Sequence, residues 1–202
     1  MKHFNMQTPW GLADQVDSLH PHGKILRVQA PDGGGIGIAV DLPMPTCLAT
    51  LGEQGTDYLW FEEDQAWAAP VTAFPSFFHP EHVRIAKEKL QHCYPEAFMA
   101  HFGVLLTAAT SRELAHREWE AATADKFTVV AGFGDWAWNV PPGQVYACGW
   151  RKEDDAAVGF LVPADVYNVN PGRLVLDEFP RWEPDRRLPY SKPRGVPEGL
   201  AA

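Results

Sequence analysis

Short runs in which hydrophobic residues alternate with small or polar ones dominate the first sixty positions, and this period of two is typical of β-strands. Residues 24–30 and 36–42 are two such runs, joined across the Pro-Asp-Gly-Gly-Gly sequence of residues 31–35. Glycine tolerates the positive φ angles that tight turns require, so this arrangement predicts a β-hairpin. Residues 57–61 add a short strand. The carboxylates that follow predict a helix over residues 62–69, because acidic side chains in a first turn complement the helix dipole.

Helical spacing of apolar residues begins after this region. A helix is predicted to start at Pro80, to carry apolar side chains along one face over residues 83–93, and to stop before Pro95. A second helix is predicted over residues 96–102. Gly103 follows it immediately and is the residue type that most often ends a helix.

The second half of the chain changes from helix to strand. Thr110 followed by Glu113 is a capping-box pattern, which predicts the start of a third helix. Beyond it, residues 127–133, 144–150 and 158–162 predict a meander of three antiparallel strands, separated by turn-forming and polar segments. The predicted fold class is therefore α+β, with an antiparallel sheet, formed by the N-terminal hairpin and the C-terminal meander, packed against about three helices.

The expected domain organisation is a single domain over residues 1–180, with two lobes over 1–108 and 109–180 as an alternative division. Residues 173–176 are a further strand candidate. After them, five prolines at positions 180 to 197 exclude regular structure. Residues 181–202 are therefore predicted to form a proline-rich basic tail.

Composition places the chain among ordinary globular proteins, with 202 residues of which 46% are hydrophobic and 21% are charged. No apolar run approaches the roughly 20 residues that a membrane-spanning helix needs, and the N-terminus lacks the apolar stretch of a secretion signal, so we expect a cytoplasmic protein. Cys47, Cys93 and Cys148 form no Cys-x-x-Cys pair. This spacing favours small buried side chains over a disulfide framework or a zinc site, and no cofactor is expected.

The charge of the chain is unevenly distributed, within a net charge of −9. Residues 28–83, here called the acidic stretch, contain no lysine or arginine but eight carboxylates, namely Asp32, Asp41, Glu53, Asp57, Glu62, Glu63, Asp64 and Glu81. A negative field of this kind attracts basic partners and repels the phosphates of nucleic acids. The sequence therefore predicts a basic partner, as long as no cation from elsewhere in the fold neutralises the stretch.

Several residue patterns suggest chemistry, and each has a simpler structural interpretation. His79 and His82 could ligate a metal, but their spacing differs from that of the zinc hydrolases and favours surface or capping roles. His92 and Cys93 are adjacent, so on a helix they point about 100° apart and cannot form a dyad on their own. The Gly-Gly-Gly-Ile-Gly sequence of residues 33–37 lacks the lysine and serine of a phosphate loop and is interpreted as a turn.

The carboxylates at positions 62 to 64, with Asp57 nearby, are the best candidates for a functional site. They could bind a partner protein, hold a divalent cation or form an ordinary solvated surface. Tryptophans left exposed among carboxylates would serve as anchors of a protein interface. The predicted partner-binding residues are Asp57, Trp60, Glu62, Glu63, Asp64 and Trp67.

Four landmarks of the sequence are Thr8-Pro9-Trp10-Gly11, Trp60-Phe61-Glu62-Glu63-Asp64 with Trp67, Gly134-Asp135-Trp136 followed by Val140-Pro141-Pro142-Gly143, and Phe160-Leu161-Val162-Pro163-Ala164-Asp165 with Tyr167. In these landmarks, over residues 8–170, the chain resembles an uncharacterised family of domains of unknown function found on plasmids, phages and integrated elements of proteobacteria. The resemblance implies a mobile-element setting and supplies no catalytic residues.

The leading functional hypothesis is a non-enzymatic acidic module that binds a basic host protein or nucleoprotein complex and inhibits a nucleic-acid-targeting defence system. The alternative hypothesis is a small metal-assisted hydrolase or nuclease built on His79, His82 and a carboxylate. A third hypothesis, direct nucleic-acid binding through the basic residues 186–194, is disfavoured because the acidic body would repel phosphate.

Overall fold

A computed structural model describes residues 6–137 and 140–182 of the chain. The chain divides into two compact units, with the boundary between Glu118 and Trp119. Within the described residues the structure contains six α-helices and three antiparallel sheets, which confirms the α+β prediction. Whether residues 1–180 behave as one domain remains a prediction. Most of the predicted basic tail, from residue 183 onward, and Trp138 lie outside the described residues.

The first unit begins with a two-stranded ladder of β1 (Gln7–Thr8) and β2 (Gly11–Leu12). It is built on a separate five-stranded antiparallel sheet, whose strands in spatial order are β3 (Gln15–Ser18), β4 (Ile25–Ala30), β5 (Gly33–Ala39), β7 (Tyr58–Glu62) and β6 (Glu53–Gln54). The predicted hairpin is confirmed, because β4 and β5 pair directly from Ile25 opposite Ile38 to Ala30 opposite Gly33.

The glycines of residues 33–37 lie in strand β5, so the interpretation of this segment as a turn is wrong. The turn between the hairpin strands contains only Pro31 and Asp32. A β-carbon added to Gly35 would lie 2.5 Å from the Trp10 ring, and one added to Gly37 would lie 2.5 Å from the Trp60 ring. The close approach of two indoles therefore explains these two glycines, together with the Phe61 carbonyl oxygen, which would lie 2.1 Å from a β-carbon at Gly35.

Five helices belong wholly or largely to the first unit, namely α1 (Thr46–Ala49), α2 (Ala68–Ala73), α3 (Pro80–Cys93), α4 (Pro95–Phe102) and α5 (Arg112–Ala122). Helices α3 and α4 confirm the predictions for this region, and Gly103 ends α4 in the left-handed conformation with a φ of 67°. The main hydrophobic core joins one face of the sheet to helices α1 to α4 through Ile25, Ile36, Ile38, Phe61, Leu48, Val71, Leu90 and Phe98.

Two predicted helix starts are displaced in the structure. The helix predicted over residues 62–69 is wrong, because β7 continues to Glu62 and α2 begins only at Ala68. The predicted capping residue Thr110 instead closes the preceding turn, where its hydroxyl accepts a hydrogen bond from the Thr107 backbone N–H at 2.9 Å. Ser111 takes the capping position, and its hydroxyl accepts from the Leu114 backbone N–H at 3.5 Å.

The second unit is built on a three-stranded antiparallel sheet of β8 (Thr128–Gly134), β9 (Gln144–Arg151) and β10 (Ala156–Pro163), with the short helix α6 (Ala164–Val169) after it. This confirms the predicted meander. One face of the sheet carries a core of Phe127, Ala147, Phe160, Val162 and Leu176. The strand predicted over residues 173–176 is reduced to one isolated bridge between Thr128 and Val175.

Candidate functional site

The predicted partner-binding residues are distributed over both ends of strand β7. Asp57 immediately precedes the strand, whereas Glu63, Asp64 and Trp67 follow its last residue. A strand rises about 3.3 Å per residue, so Asp57 and Glu63, six residues apart, are separated by roughly 20 Å. The structure therefore brings Glu63, Asp64 and Trp67 together in the turn after β7, whereas Asp57 lies at the other end of the strand.

Trp60 lies in the core and not on the surface, with 5% of its area exposed. It pairs across the sheet with Gly37, and its ring makes an edge-to-face contact with Trp10 at a centroid distance of 6.0 Å. The sequence did contain a signal for this burial. Glycines at alternate positions of a strand leave room for large rings on the same face of the sheet.

Glu62 has a structural role in the turn after β7. Its carboxylate accepts hydrogen bonds from the backbone N–H groups of Asp64, Gln65 and Ala66, the last two at 2.8 Å. These bonds satisfy turn amides that neither a strand nor a helix would satisfy. Of the three consecutive carboxylates, Glu63 and Asp64 are thus the ones whose side chains are exposed and free of such bonds within the described chain.

A cavity of about 580 Å³ lies at the Asp57 end of β7, between residues 6–9 and residues 53–58. We call it the edge cavity. Its carboxylates are Glu53 and Asp57, and Tyr58 forms part of its wall. Burial raises the pKa of Tyr58, and the negative charges of Asp57 and Asp41 raise it further. The Tyr58 hydroxyl donates a hydrogen bond to the Gly23 carbonyl at 2.9 Å, which fixes the ring.

A second cavity of about 340 Å³ lies at the opposite end, where β4 and β5 face helices α2 and α3. We call it the helix-side cavity. Its apolar lining comes mainly from Ile36, Trp67, Val71, Phe78 and Ile85, and its polar groups are Arg27, Gln29, Glu63 and His82. An apolar cleft with a few polar groups at its rim is the usual form of a ligand-binding site.

Two carboxylates of the acidic stretch are neutralised by cations just outside it. Lys24 donates to Asp41 at 2.9 Å and lowers the pKa of that carboxyl group. Arg84 contacts Glu81 at 2.6 Å and lowers the pKa of Glu81 in the same way. With Glu62 bonded to backbone amides, five exposed carboxylates of the stretch form no ion pair within the described residues, namely Asp32, Glu53, Asp57, Glu63 and Asp64.

The two histidines considered as metal ligands, His79 and His82, lie at the start of helix α3. His79 precedes helix α3, and its Nδ1 atom accepts a hydrogen bond from the Glu81 backbone N–H at 3.3 Å, a capping role. Its ring lies 6.1 Å from that of His82. Across residues 6–137 and 140–182, no three side chains of His, Cys, Asp or Glu are grouped so that they could hold one metal ion.

A family comparison identifies the first part of the chain. The family described as Domain of unknown function (DUF7007) matches residues 3–124, more than half of the chain. The chain belongs to the DUF7007 family. The DUF7007 match includes every residue that lines the edge cavity and the helix-side cavity. It ends before the landmarks at residues 134–143 and 160–167, which therefore lie outside the matched region.

Searches of curated proteins and of solved structures gave no significant match for this DUF7007 chain. In the part of the chain that the structure describes, no helix is both long enough and apolar enough to span a bilayer. Asp135, which directly follows strand β8, has a structural role, because its carboxylate accepts a hydrogen bond from the Gly143 backbone N–H at 3.0 Å.

Proposed function

We propose that this DUF7007 protein is a non-enzymatic binding module that recognises a basic partner protein through the carboxylates of its acidic stretch. The observation that carries the proposal is that Asp32, Glu53, Asp57, Glu63 and Asp64 are exposed and form no ion pair within the described residues. Unpaired exposed carboxylates keep their field in solution, and such fields accelerate association with oppositely charged surfaces by roughly tenfold to a thousandfold at low salt.

The partner we propose is a basic host protein or nucleoprotein complex that targets nucleic acid. Such complexes bind phosphates in positively charged channels, and carboxylates on a folded surface can occupy the same channels. A mobile-element origin, which the landmarks of the sequence suggest, supports an inhibitor of host defence. In this proposal Glu63 and Asp64, next to the half-buried Trp67, form the centre of the contact, and Asp57 and Glu53 contribute steering charge.

The test is a charge-reversal experiment on the exposed residues alone. The variant Glu63→Lys/Asp64→Lys leaves Glu62 unchanged, because reversing Glu62 would remove the acceptor of three turn amides. The matched control is Asp125→Lys/Glu178→Lys, which makes the same change of charge at exposed positions of the second unit. Proteins from a host lysate are captured on each variant, and association rates are then measured with the purified partner.

We expect a protein with a basic nucleic-acid channel to be captured by the wild type and by the control. The Glu63→Lys/Asp64→Lys variant should associate roughly tenfold more slowly or worse, and the difference should shrink as salt is added. Equal association of the reversal variant and the control would contradict the proposal. So would a captured partner whose binding surface is acidic.

A further inference from the structure

The helix-side cavity combines an apolar interior with two opposite charges that do not neutralise each other. Trp67 and Phe78 contribute aromatic rings to its wall, and Val71 is almost completely buried at its base. Its volume of about 340 Å³ lies at the lower end of the range for small-molecule sites. This size suits a ligand that carries one aromatic or branched aliphatic group.

Arg27 provides the positive charge at the rim. It is exposed, and it forms no hydrogen bond or ion pair with the described residues. Asp17 lies directly opposite Arg27 on strand β3, but the Asp17 carboxylate accepts a hydrogen bond from the Gln15 side-chain amide at 2.8 Å and forms no ion pair with Arg27. The guanidinium group is therefore available to a carboxylate, which it can bind with two parallel hydrogen bonds.

Glu63 provides the negative charge at the same rim. A β-carbon added to Gly34 would lie 3.1 Å from the Oε2 atom of Glu63, so this carboxylate lies over Gly34. Gly34 pairs across the sheet with Gln29, which is two residues from Arg27 along β4 and on the same face. The backbone positions of Arg27 and Gln29 are about 7 Å apart along the strand. This spacing leaves room between the two charges for a group that carries both a carboxylate and an ammonium.

We propose that the helix-side cavity binds a small zwitterion, specifically a free α-amino acid with an apolar side chain. The ligand carboxylate binds the Arg27 guanidinium, the ligand ammonium binds the Glu63 carboxylate, and the side chain packs between Trp67 and Phe78. Each charge-assisted hydrogen bond spans about 2.8 Å, so one α-carbon with its two charged groups bridges the rim. This ligand satisfies the apolar interior and both charges together, which a purely cationic or anionic ligand cannot do.

The test uses the full-length protein and four defined compounds in calorimetric titrations. L-Phenylalanine and L-leucine carry both charges and an apolar side chain. Glycine carries only the charges, and N-acetyl-L-phenylalaninamide carries only the side chain. We expect saturable binding of phenylalanine and leucine, with affinity at least tenfold lower for glycine and for the blocked amide. Equal binding of the blocked amide would overturn the proposal and indicate a pocket for a side chain of a peptide instead.

Variants connect the binding to the two charges. Arg27→Met and Glu63→Gln should each weaken phenylalanine binding by about tenfold, a loss of one charge-assisted contact worth about 1.4 kcal/mol. The matched controls are Arg112→Met and Glu118→Gln, which remove the same charges from exposed positions on helix α5. Ile85→Gln, at the exposed part of the apolar wall, should weaken phenylalanine more than glycine.

The outcomes also separate this proposal from the acidic binding surface. Arg27→Met removes no carboxylate, so it should not slow association with a basic partner. It should, however, remove the preference of the cavity for phenylalanine over the blocked amide. Absence of saturable phenylalanine and leucine binding up to their solubility limits would overturn the amino-acid site. Binding that is unchanged in both Arg27→Met and Glu63→Gln would overturn it as well, because the ligand would then not occupy this cavity.

Discussion

Gly37 shows at the scale of a single residue why the sheet of the first unit needs its glycines. An alanine β-carbon at this position would lie 2.5 Å from Cζ3 and 2.9 Å from Cε3 of Trp60, closer than real contacts allow. We therefore predict that Gly37→Ala lowers the free energy of unfolding by about 1–3 kcal/mol, the usual cost of overpacking a core. Urea unfolding followed by tryptophan fluorescence measures this change.

The cause can be separated from a general effect of replacing glycine. Gly172→Ala is the control, because no atom lies within 4 Å of its added β-carbon, and it should change stability by less than about 0.5 kcal/mol. In a Trp60→Leu background, where the ring is absent, Gly37→Ala should cost less than it does in the wild type. An equal cost in both backgrounds would show that the indole is not responsible.

Individual residues also mark the limit of what the sequence could predict about the site. The carboxylates at positions 62 to 64 look alike in the sequence, yet Glu62 is bonded to turn amides and Glu63 lies at the rim of a cavity. That difference depends on where β7 ends, which no local pattern specified. The exposed Asp57 and the half-buried Trp67 stay candidates for partner contact, whereas Trp60 is explained by packing.

At the scale of secondary-structure elements, Arg117 connects α5 to α4. Its guanidinium binds Glu96 on α4 and also Glu113, one turn earlier on its own helix, at 2.7 Å. The hydrogen bond from Arg117 lowers the pKa of Glu96 below its ordinary value. A carboxyl group with a lowered folded-state pKa stabilises the protein above its unfolded-state pKa, and this contribution is lost as the pH falls through the folded-state value.

We predict from this direction that Arg117→Met brings the pKa of Glu96 back up towards its ordinary value. The variant should also lose part of the decrease in stability that the wild type shows as the pH is lowered from about 5 to 3. An NMR titration of the Glu96 side chain and thermal unfolding at several pH values measure both effects. Arg112→Met, on the same helix, is the control and should leave the pKa of Glu96 unchanged.

The elements that were predicted correctly have strong local signals. Helix α3 begins at a proline and keeps one apolar face, and helix α4 ends at a glycine with positive φ. The predictions failed where distant residues decide the local structure. Strand β5 has glycine at positions 35 and 37 because Trp10 and Trp60 lie against it there. The helix expected over residues 62–69 starts late because the Glu62 carboxylate organises a turn first.

At the scale of the whole molecule, the helix-side cavity could not be predicted from the sequence. Arg27 and Glu63 are 36 positions apart, and they share a rim only because β4, β5 and β7 are neighbours in the sheet. The exposed, unneutralised charge of the acidic stretch was partly predictable from the sequence. Five of the eight carboxylates in the acidic stretch are exposed without an ion pair in the described structure, while Lys24 and Arg84 neutralise Asp41 and Glu81 from its flanks.

The division of the molecule into units leads to a prediction about fragments. Among the described residues, the two hydrophobic clusters of the first unit draw their members from residues 6–106, and the cluster of the second unit draws its members from residues 127–179. A chain of roughly 120 residues is long enough to bury its own core. We therefore predict that a fragment of residues 1–124, which contains the DUF7007 match, folds independently.

This fragment should retain near-ultraviolet circular dichroism from its packed tryptophans and should unfold cooperatively in urea. A fragment of residues 1–108 is the informative comparison, because it lacks helix α5 and with it the ion pair between Arg117 and Glu96. It should unfold at a lower urea concentration than the 1–124 fragment. If the 1–124 fragment lacks near-ultraviolet signal while the full chain has it, the first unit depends on the rest of the chain and a single folding domain is the correct description.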